Sequence, residues 1–171
     1  IYRFSKDGEF LDALPVAASV RPVRNNVFDY SSNNPAAGQP APSPGNPVTG
    51  RQNNQGFEGL SVSPDGTTLI VMLQSATRQD GGAGGSSATR DHTRAFTYDI
   101  TNLDAIALTG EYVVQLPKYL ADGAVRVAAQ SEILAISDTQ FLILPRDGNG
   151  LGLENPTSLY RHVDVVDLRD A

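Results

Sequence analysis

Residues 54–75 read NQGFEGLSVSPDGTTLIVMLQS. A glycine-flanked carboxylate, Gly56-Phe57-Glu58-Gly59, leads into an alternation carried by Leu60 and Val62. Pro64-Asp65-Gly66 supplies turn chemistry, because proline presets φ and glycine accepts positive φ. Thr67–Gln74 then returns as a mostly apolar run. Alternation, turn and apolar return together predict a β-hairpin. Leu60 and Val62 are expected to point inward, which leaves Glu58 at the mouth of a buried strand, where a charge needs a reason.

The template recurs. Residues 130–147, QSEILAISDTQFLILPRD, place Glu132 before Leu134 and Ile136, turn at Asp138-Thr139 and return through Phe141–Leu144. Aligned on the two glutamates, Leu60 matches Leu134, Val62 matches Ile136 and Ser63 matches Ser137. With two residues fewer at the turn, Leu69 matches Phe141, Gln74 matches Arg146 and Ser75 matches Asp147. Further strands are predicted at Arg94–Ile100 and Gly110–Leu116 after the first hairpin, and at 158–168 after the second. Repeated sheets of about four strands are the signature of a β-propeller. The chain is therefore read as all-β, part of a single propeller domain spanning 1–171, with about two blades and part of a third. Residues 54–116 form one blade and 130–168 begin the next. The innermost strand of a blade opens on one end of the central channel. Glu58 and Glu132 are thus expected near that mouth, with Gln74, Arg146 and Asp147 closing the neighbouring strands beside them.

Composition agrees with this reading. Of the 171 residues 40% are hydrophobic, enough for a core, and 16 glycines and 11 prolines punctuate short Val, Ile, Leu and Phe runs. A net charge of −6 argues against a nucleic-acid partner and suits an anionic membrane surface poorly. No run approaches the roughly 18 apolar residues of a membrane span. The absence of cysteine excludes disulfides and thiolate metal sites. The first residues, IYRFSKDGEFLDAL, lack the basic start and apolar centre of a signal peptide. They read as extended pieces at 2–4 and 9–14 around the Lys6-Asp7-Gly8 turn, already inside a fold. The chain is accordingly expected to be a piece of a longer polypeptide, whose remainder completes the propeller. Residues 31–50, SSNNPAAGQPAPSPGNPVTG, are a long loop of polyproline character. Residues 77–93, with DGGAGGSS, are expected to be a flexible connection.

The polar residues admit two readings each. Carboxylates gathered at a channel mouth suit Ca²⁺, which takes several oxygen ligands, or acid–base chemistry. Equally, Glu58 and Glu132 would serve as structural blade-starters that accept backbone N–H groups. The planar fork of Arg146 suits a phosphate or carboxylate, or an ion pair with Glu132 or Asp147 that ties two blades together. Asp147, Asn149 and Gly152 stand at positions one, three and six of a calcium loop, but Leu151 brings no oxygen at the fifth position and Ser158 stands at the twelfth, where a bidentate Glu belongs, which favours a bare turn. The GGAGG at 81–85 has no following Lys-Ser/Thr and is no phosphate loop. No Gly-x-Ser-x-Gly elbow is present, and a serine triad has no support. His92 lies in a polar loop within reach of a substrate, and His162 lies within a strand. Arg78, Arg90 and Arg94 form a basic patch or a solvated edge. Tyr98 and Tyr160 are read as packing residues with polar tips.

Three blocks, NQGFEGLSVSPDGTTLIVMLQS, AAQSEILAISDTQFLILPRDGNG and SLYRHVDVVDL, resemble the phytase-like domain family, described as having esterase-like activity of phytase, and its fungal secreted members most. The similarity spans roughly 54–168 and extends weakly to YRFSKDGEFL. It implies a β-propeller, secretion through a signal peptide outside this chain, and a hydrolase acting on a phosphate ester or other small-molecule ester. Glu58, Glu132, Arg146 and Asp147 stand where the recurrent polar residues of the family stand. The implied roles are Glu58, Glu132 and Asp147 holding Ca²⁺ or orienting water, and Arg146 neutralising the substrate anion. Pro145 precedes Arg146 where the family often has an acidic or small residue. A non-catalytic propeller that binds a ligand or protein, and a Ca²⁺-dependent lactonase-like propeller, are the competing readings.

Overall fold

The computed structural model describes residues 1–81, 89–147 and 158–170. Apart from 3-10 turns and one turn of α-helix at Arg78–Gly81 (α1), its regular structure is all β. The Lys6-Asp7-Gly8 turn joins β1 (Tyr2–Phe4) to β2 (Phe10–Ala13). A tighter hairpin follows, β3 (Val23–Arg24) to β4 (Val27–Phe28), over Asn25-Asn26, both at positive φ. This is the turn whose twist matches its strands. Strands β5 (Phe57–Val62), β6 (Thr68–Leu73), β7 (His92–Asp99) and β8 (Ala107–Gln115) make a four-stranded antiparallel meander. The hairpin β9 (Lys118–Ala121) to β10 (Ala124–Val127) turns over Asp122-Gly123, again both at positive φ. Strands β11 (Ala129–Ala135), β12 (Gln140–Arg146) and β13 (Asp164–Asp167) form a three-stranded antiparallel sheet. Among the described residues no helix is long and apolar enough to cross a membrane.

The Pro64-Asp65-Gly66 turn forms as its chemistry requires. Ser63 N–H donates to the Thr68 carbonyl at 2.8 Å, and Gly66, at φ +76°, donates to the Ser63 carbonyl at 2.9 Å. Asp65 accepts from the Ser63 hydroxyl at 2.5 Å and from Thr67 N–H at 3.1 Å, which holds its carboxyl below the usual range. Beyond the turn β6 is buried on both sides. Ile70 and Met72 join Ile133, Ala135, Phe141 and Ile143 in a core between the two sheets. Leu69, Val71 and Leu73 join Leu14, Val20, Phe96 and Tyr98 in a second core against the N-terminal segment. The order of layers is N-terminal segment, four-stranded sheet, three-stranded sheet.

Strands β5 and β11 lie side by side where the sheets meet. Ala135 N–H donates to the Ser61 hydroxyl at 2.9 Å, and Gln130 N–H to the Gln74 carbonyl at 3.0 Å. Gly59 is needed here, since a Cβ would stand 2.6 Å from Ile133 Cγ2. This packing overturns one expectation: the inward residues of β5 and β11 are Gly59, Ser61, Ile133 and Ala135. Leu60, Val62, Leu134 and Ile136 are 50%, 46%, 58% and 45% exposed.

Each strand also carries a bulge. Phe57 pairs with Leu73 and Gly59 with Met72, so Glu58 is an extra residue. Gln130 pairs with Pro145 and Ile133 with Ile143, so Ser131 and Glu132 together oppose Leu144. Both repeats thus carry a bulge at the same level, but the register shifts the alignment by one. Leu69 and Phe141 still correspond, as do Gln74 and Arg146. On β11, however, Ser131 corresponds to Glu58, and Glu132 corresponds to Gly59. A one-residue shift moves a side chain to the opposite face.

The loop at 31–50 carries no strand pairing beyond the isolated bridge of Thr49 to Val23. A buried cation anchors it. Arg24, 2% exposed, donates Nε to the Pro44 carbonyl at 3.0 Å, Nη2 to the Gly45 carbonyl at 3.0 Å and Nη1 to the Asp29 carbonyl at 2.8 Å. The strand expected at 158–168 is regular only over β13, with a single bridge from Arg161 to Arg146. The 77–93 connection includes α1, and its glycine-rich centre lies outside the described residues, as does most of DGNGLG.

Candidate functional site

The bulged ends of β5 and β11 collect most of the polar residues singled out from sequence. Glu58 and Glu132 are exposed on neighbouring strands, each one residue from the Gly59–Ile133 contact. Glu132 Oε1 accepts from the N–H of Ile133, inside its own bulge, at 2.9 Å. Arg146 ends β12, where it pairs with Ala129. Its Nε donates to the Ser131 hydroxyl at 2.6 Å, across the bulge, and Nη1 to the Asp147 carbonyl at 3.3 Å. Its ion pair with Glu132 or Asp147 does not form. Asp147 is buried at 2% exposure, and its Oδ2 accepts from Tyr160 N–H at 3.0 Å and from Leu159 N–H. The site therefore holds two exposed carboxylates, one partly covered guanidinium, and a buried carboxylate that anchors the chain entering β13.

Buried amides adjoin this row. Gln130 is fully buried and donates Nε2 to the Met72 carbonyl at 3.0 Å. Its Oε1 and that of Gln74 are buried acceptors without a hydrogen-bond partner among the described residues. Such oxygens cost free energy unless a donor or cation meets them. Sequence reading passed over Gln130, although a glutamine inside the apolar run VAAQSEIL was itself a signal. Ser75 donates its hydroxyl to Gln55 Oε1. Together with Arg90, Val127 and Ala129 these two line a small cavity of about 100 Å³.

Further out along the same end, β7 begins at His92. Thr93 donates its hydroxyl to the Leu73 carbonyl at 3.1 Å, which fixes this end level with the close of β6. His92 Nδ1 stands 3.2 Å from Asp91, whose other oxygen meets Lys118 Nζ at 2.6 Å. The Lys118 ammonium chiefly holds the Asp91 carboxyl below its ordinary range, against desolvation. Of the arginines flanking the glycine loop, Arg94 is committed elsewhere. Its fork meets Asp80 at 2.6 and 2.8 Å and its third nitrogen meets Glu111. Arg78 Nε is buried without a hydrogen-bond partner among the described residues. Tyr98 and Tyr160 pack as expected. Tyr98 donates to the Pro15 carbonyl at 2.9 Å, and Tyr160 donates to Asp164 at 3.0 Å and lies 4.6 Å from the His162 ring.

Among the described residues no three His, Asp or Glu side chains converge to hold a metal ion. Two of the expected Ca²⁺ donors, Glu58 and Glu132, share one end, whereas one oxygen of Asp147 is engaged by backbone N–H groups. Chemically, the arrangement offers two solvent-exposed carboxylates and, at the same strand ends, a guanidinium that is ion-paired to neither.

Comparison with known proteins adds three findings. Residues 1–171 match the family described as Phytase-like: Esterase-like activity of phytase. An "Uncharacterized secreted protein" of Arthroderma benhamiae is 38% identical over 175 residues, covering 97% of this chain. The match takes in 34% of that relative, so the chain spans about a third of its length. No solved structure matches.

Proposed function

The chain belongs to the phytase-like family, and from that premise we propose that it is part of a secreted hydrolase acting on a phosphate ester or other ester. The observation that carries the reading is the gathering of Glu58, Glu132 and Arg146 at one end of two stacked sheets. Two repeats stacked face to face with adjacent inner strands support a β-propeller, of which this chain supplies about two blades and part of a third. The rest belongs to the remainder of a longer polypeptide, in keeping with the length of the relative. Secretion is proposed because that relative is described as a secreted protein.

In the proposed reaction Arg146 meets the anionic or carbonyl oxygen of the ester, its Nε already steadied by Ser131. A carboxylate, Glu58 or Glu132, takes a proton from water. The water oxygen bonds to phosphorus or to the acyl carbon, the ester bond breaks, and the alcohol leaves with a proton. Ca²⁺ takes six to eight oxygens, so Glu58 and Glu132 would be two ligands of a set completed elsewhere. The hydrolytic step proposed rests on the side chains alone.

Glu58→Gln and Glu132→Gln in the longer protein, assayed on a panel of esters with and without chelator, test this. Turnover is expected to fall by about 10²–10⁴ in at least one variant. Unchanged turnover in both variants and under chelation would sink the reading. A second reading is favoured by the Glu132–Ile133 bond, in which the carboxylate stabilises its own bulge. On that reading the domain is a non-catalytic binding module, no ester is turned over, and Glu132→Gln lowers the melting temperature instead.

A further inference from the structure

Beside the bulge of β5 lies a cleft between the N-terminal segment and the four-stranded sheet, with a volume of about 460 Å³. Its floor is apolar, formed by Leu14, Val16, Val20, Phe57 and Leu73. Phe57 is braced edge-on against Phe96 at 5.8 Å, and its neighbour along β5 is Glu58. Two cations reach this cleft, Arg21 and Arg51, together with Tyr30. A second, polar cavity of about 510 Å³ shares Tyr30 and Arg51 with the first, and Ser32, Asn34, Asn53 and Asn54 complete its lining.

The two arginines differ in what they have left to offer. Arg21 donates Nε and Nη2 to the Val16 carbonyl at 2.9 and 2.6 Å and lies 5.1 Å above the Phe28 ring, so it braces the wall. Arg51 makes one long bond among the described residues, Nη1 to the Gln52 carbonyl at 3.3 Å. It stands at the junction of the cavities, and no carboxylate lines either of them, in a chain of net charge −6. An apolar slot that ends at a guanidinium held by one long hydrogen bond, ringed by amide and hydroxyl groups, matches a ligand with an apolar body and a multi-oxygen anion.

We propose that the paired cavities bind an aryl or alkyl phosphate, its apolar group seated on Leu14, Phe57 and Leu73 and its phosphate held by Arg51 at the mouth. The binding claim stands on the cavities themselves. That this ligand is also the substrate class rests on the hydrolase reading above; the cleft would hold it apart from Arg146, which closes β12 in the other sheet.

Calorimetric titration of the longer protein carrying both Glu58→Gln and Glu132→Gln, with chelator present, measures binding with turnover suppressed. The probes are 1-naphthyl phosphate, 1-naphthol and inorganic phosphate. Naphthyl phosphate is expected to bind at least ten-fold more tightly than either of the others. Arg51→Gln is expected to abolish its advantage over naphthol while leaving naphthol affinity intact. Equal affinities for naphthol and its phosphate, or an advantage that survives Arg51→Gln, overturn the site. Should Arg51→Gln fail to fold, Asn54→Asp sets a carboxylate at the same mouth. It is expected to weaken naphthyl phosphate at least five-fold and to spare naphthol, and an unchanged ratio overturns the site equally. Binding as described in a protein that turns over no ester removes the hydrolase reading and leaves the site standing.

Discussion

Tyr98 illustrates how much one side chain of this fold carries. It is fully buried in the core against the N-terminal segment, and its hydroxyl reaches the Pro15 carbonyl. Burial raises its phenol to about 12, above an ordinary value of 10. A raised value means that the unfolded chain ionises first. The stability linked to Tyr98 is therefore complete below pH 10 and drains away as pH rises toward 12. Tyr98→Phe should lower stability by about 1 kcal/mol at neutral pH through the lost hydrogen bond, and its melting temperature should fall less steeply than wild type between pH 10 and 12. A parallel alkaline slope would contradict this. Gly59 makes a second case, set by space. Ile133 leaves no room for a Cβ, so Gly59→Ala should cost about 1–3 kcal/mol in denaturant unfolding. A neutral effect would mean that β5 and β11 do not pack as described.

At the scale of elements, α1 is tied to Gly50 and Ser19 through Arg78 N–H and the Gln79 amide, and to β7 through one ion pair. The Asp80 carboxylate takes the fork of Arg94 from β7, and the Thr77 hydroxyl donates to it at 2.7 Å. Arg94 is the main cause of the lowered Asp80 pKa, working against desolvation. A depressed carboxyl adds stability above the unfolded value of about 3.9 and loses it as pH falls through the folded value. Asp80→Asn should thus cost on the order of 1–3 kcal/mol at pH 7, and the gap to wild type should close below about pH 4. Melting curves across pH 2–7 read this directly, and a gap of constant size would show that the charge is not the cause. The hairpin at 57–73 was legible because its turn residues and apolar alternation all lie within a short window. Its register against the repeat was not legible. A bulge adds one residue without any residue type that announces it, and one residue is enough to turn Glu132 onto the place of Gly59. The hairpins over Asn25-Asn26 and Asp122-Gly123 did carry a signal, a pair of residues tolerant of positive φ, but their flanking strands are too short for alternation to show. The site divides in the same way. Glu58, Glu132, Arg146 and Asp147 stand out in the sequence because each lies in a repeated hairpin pattern or closes a strand. The Asp91–Lys118 pair and the cleft around Arg51 join segments that only the folded chain brings together.

The molecule as a whole is a stack with two uncovered apolar ends. On one side Tyr2, Phe4 and Phe10 form an edge-to-face aromatic row, 70%, 56% and 59% exposed. On the far side Leu134, Leu144, Val163 and Val165 are each at least 46% exposed. Contiguous apolar surface of this kind drives association unless another layer covers it. Residues 1–171 expressed alone should therefore elute above their 18.2 kDa mass and enhance the fluorescence of an apolar dye, and the longer protein should elute at its own monomer mass and leave the dye dark. A monodisperse, dye-silent monomer would refute the two-ended stack. The 31–50 excursion gives the molecule a different kind of closure. Its clasp is one buried charge that donates to the Pro44 and Gly45 carbonyls of the loop and to the Asp29 carbonyl before it, and that also pairs with the Asp29 carboxylate at 3.7 Å, with the guanidinium itself out of reach of mobile ions. Salt that screens an exposed pair such as Lys6–Asp7 leaves such a clasp intact. In molar sodium chloride the loop should keep its resistance to proteolysis, and Arg24→Met should be cut there at any ionic strength. A proline-rich surface segment that looks like the loosest part of the chain is thereby latched in a way that brine does not open.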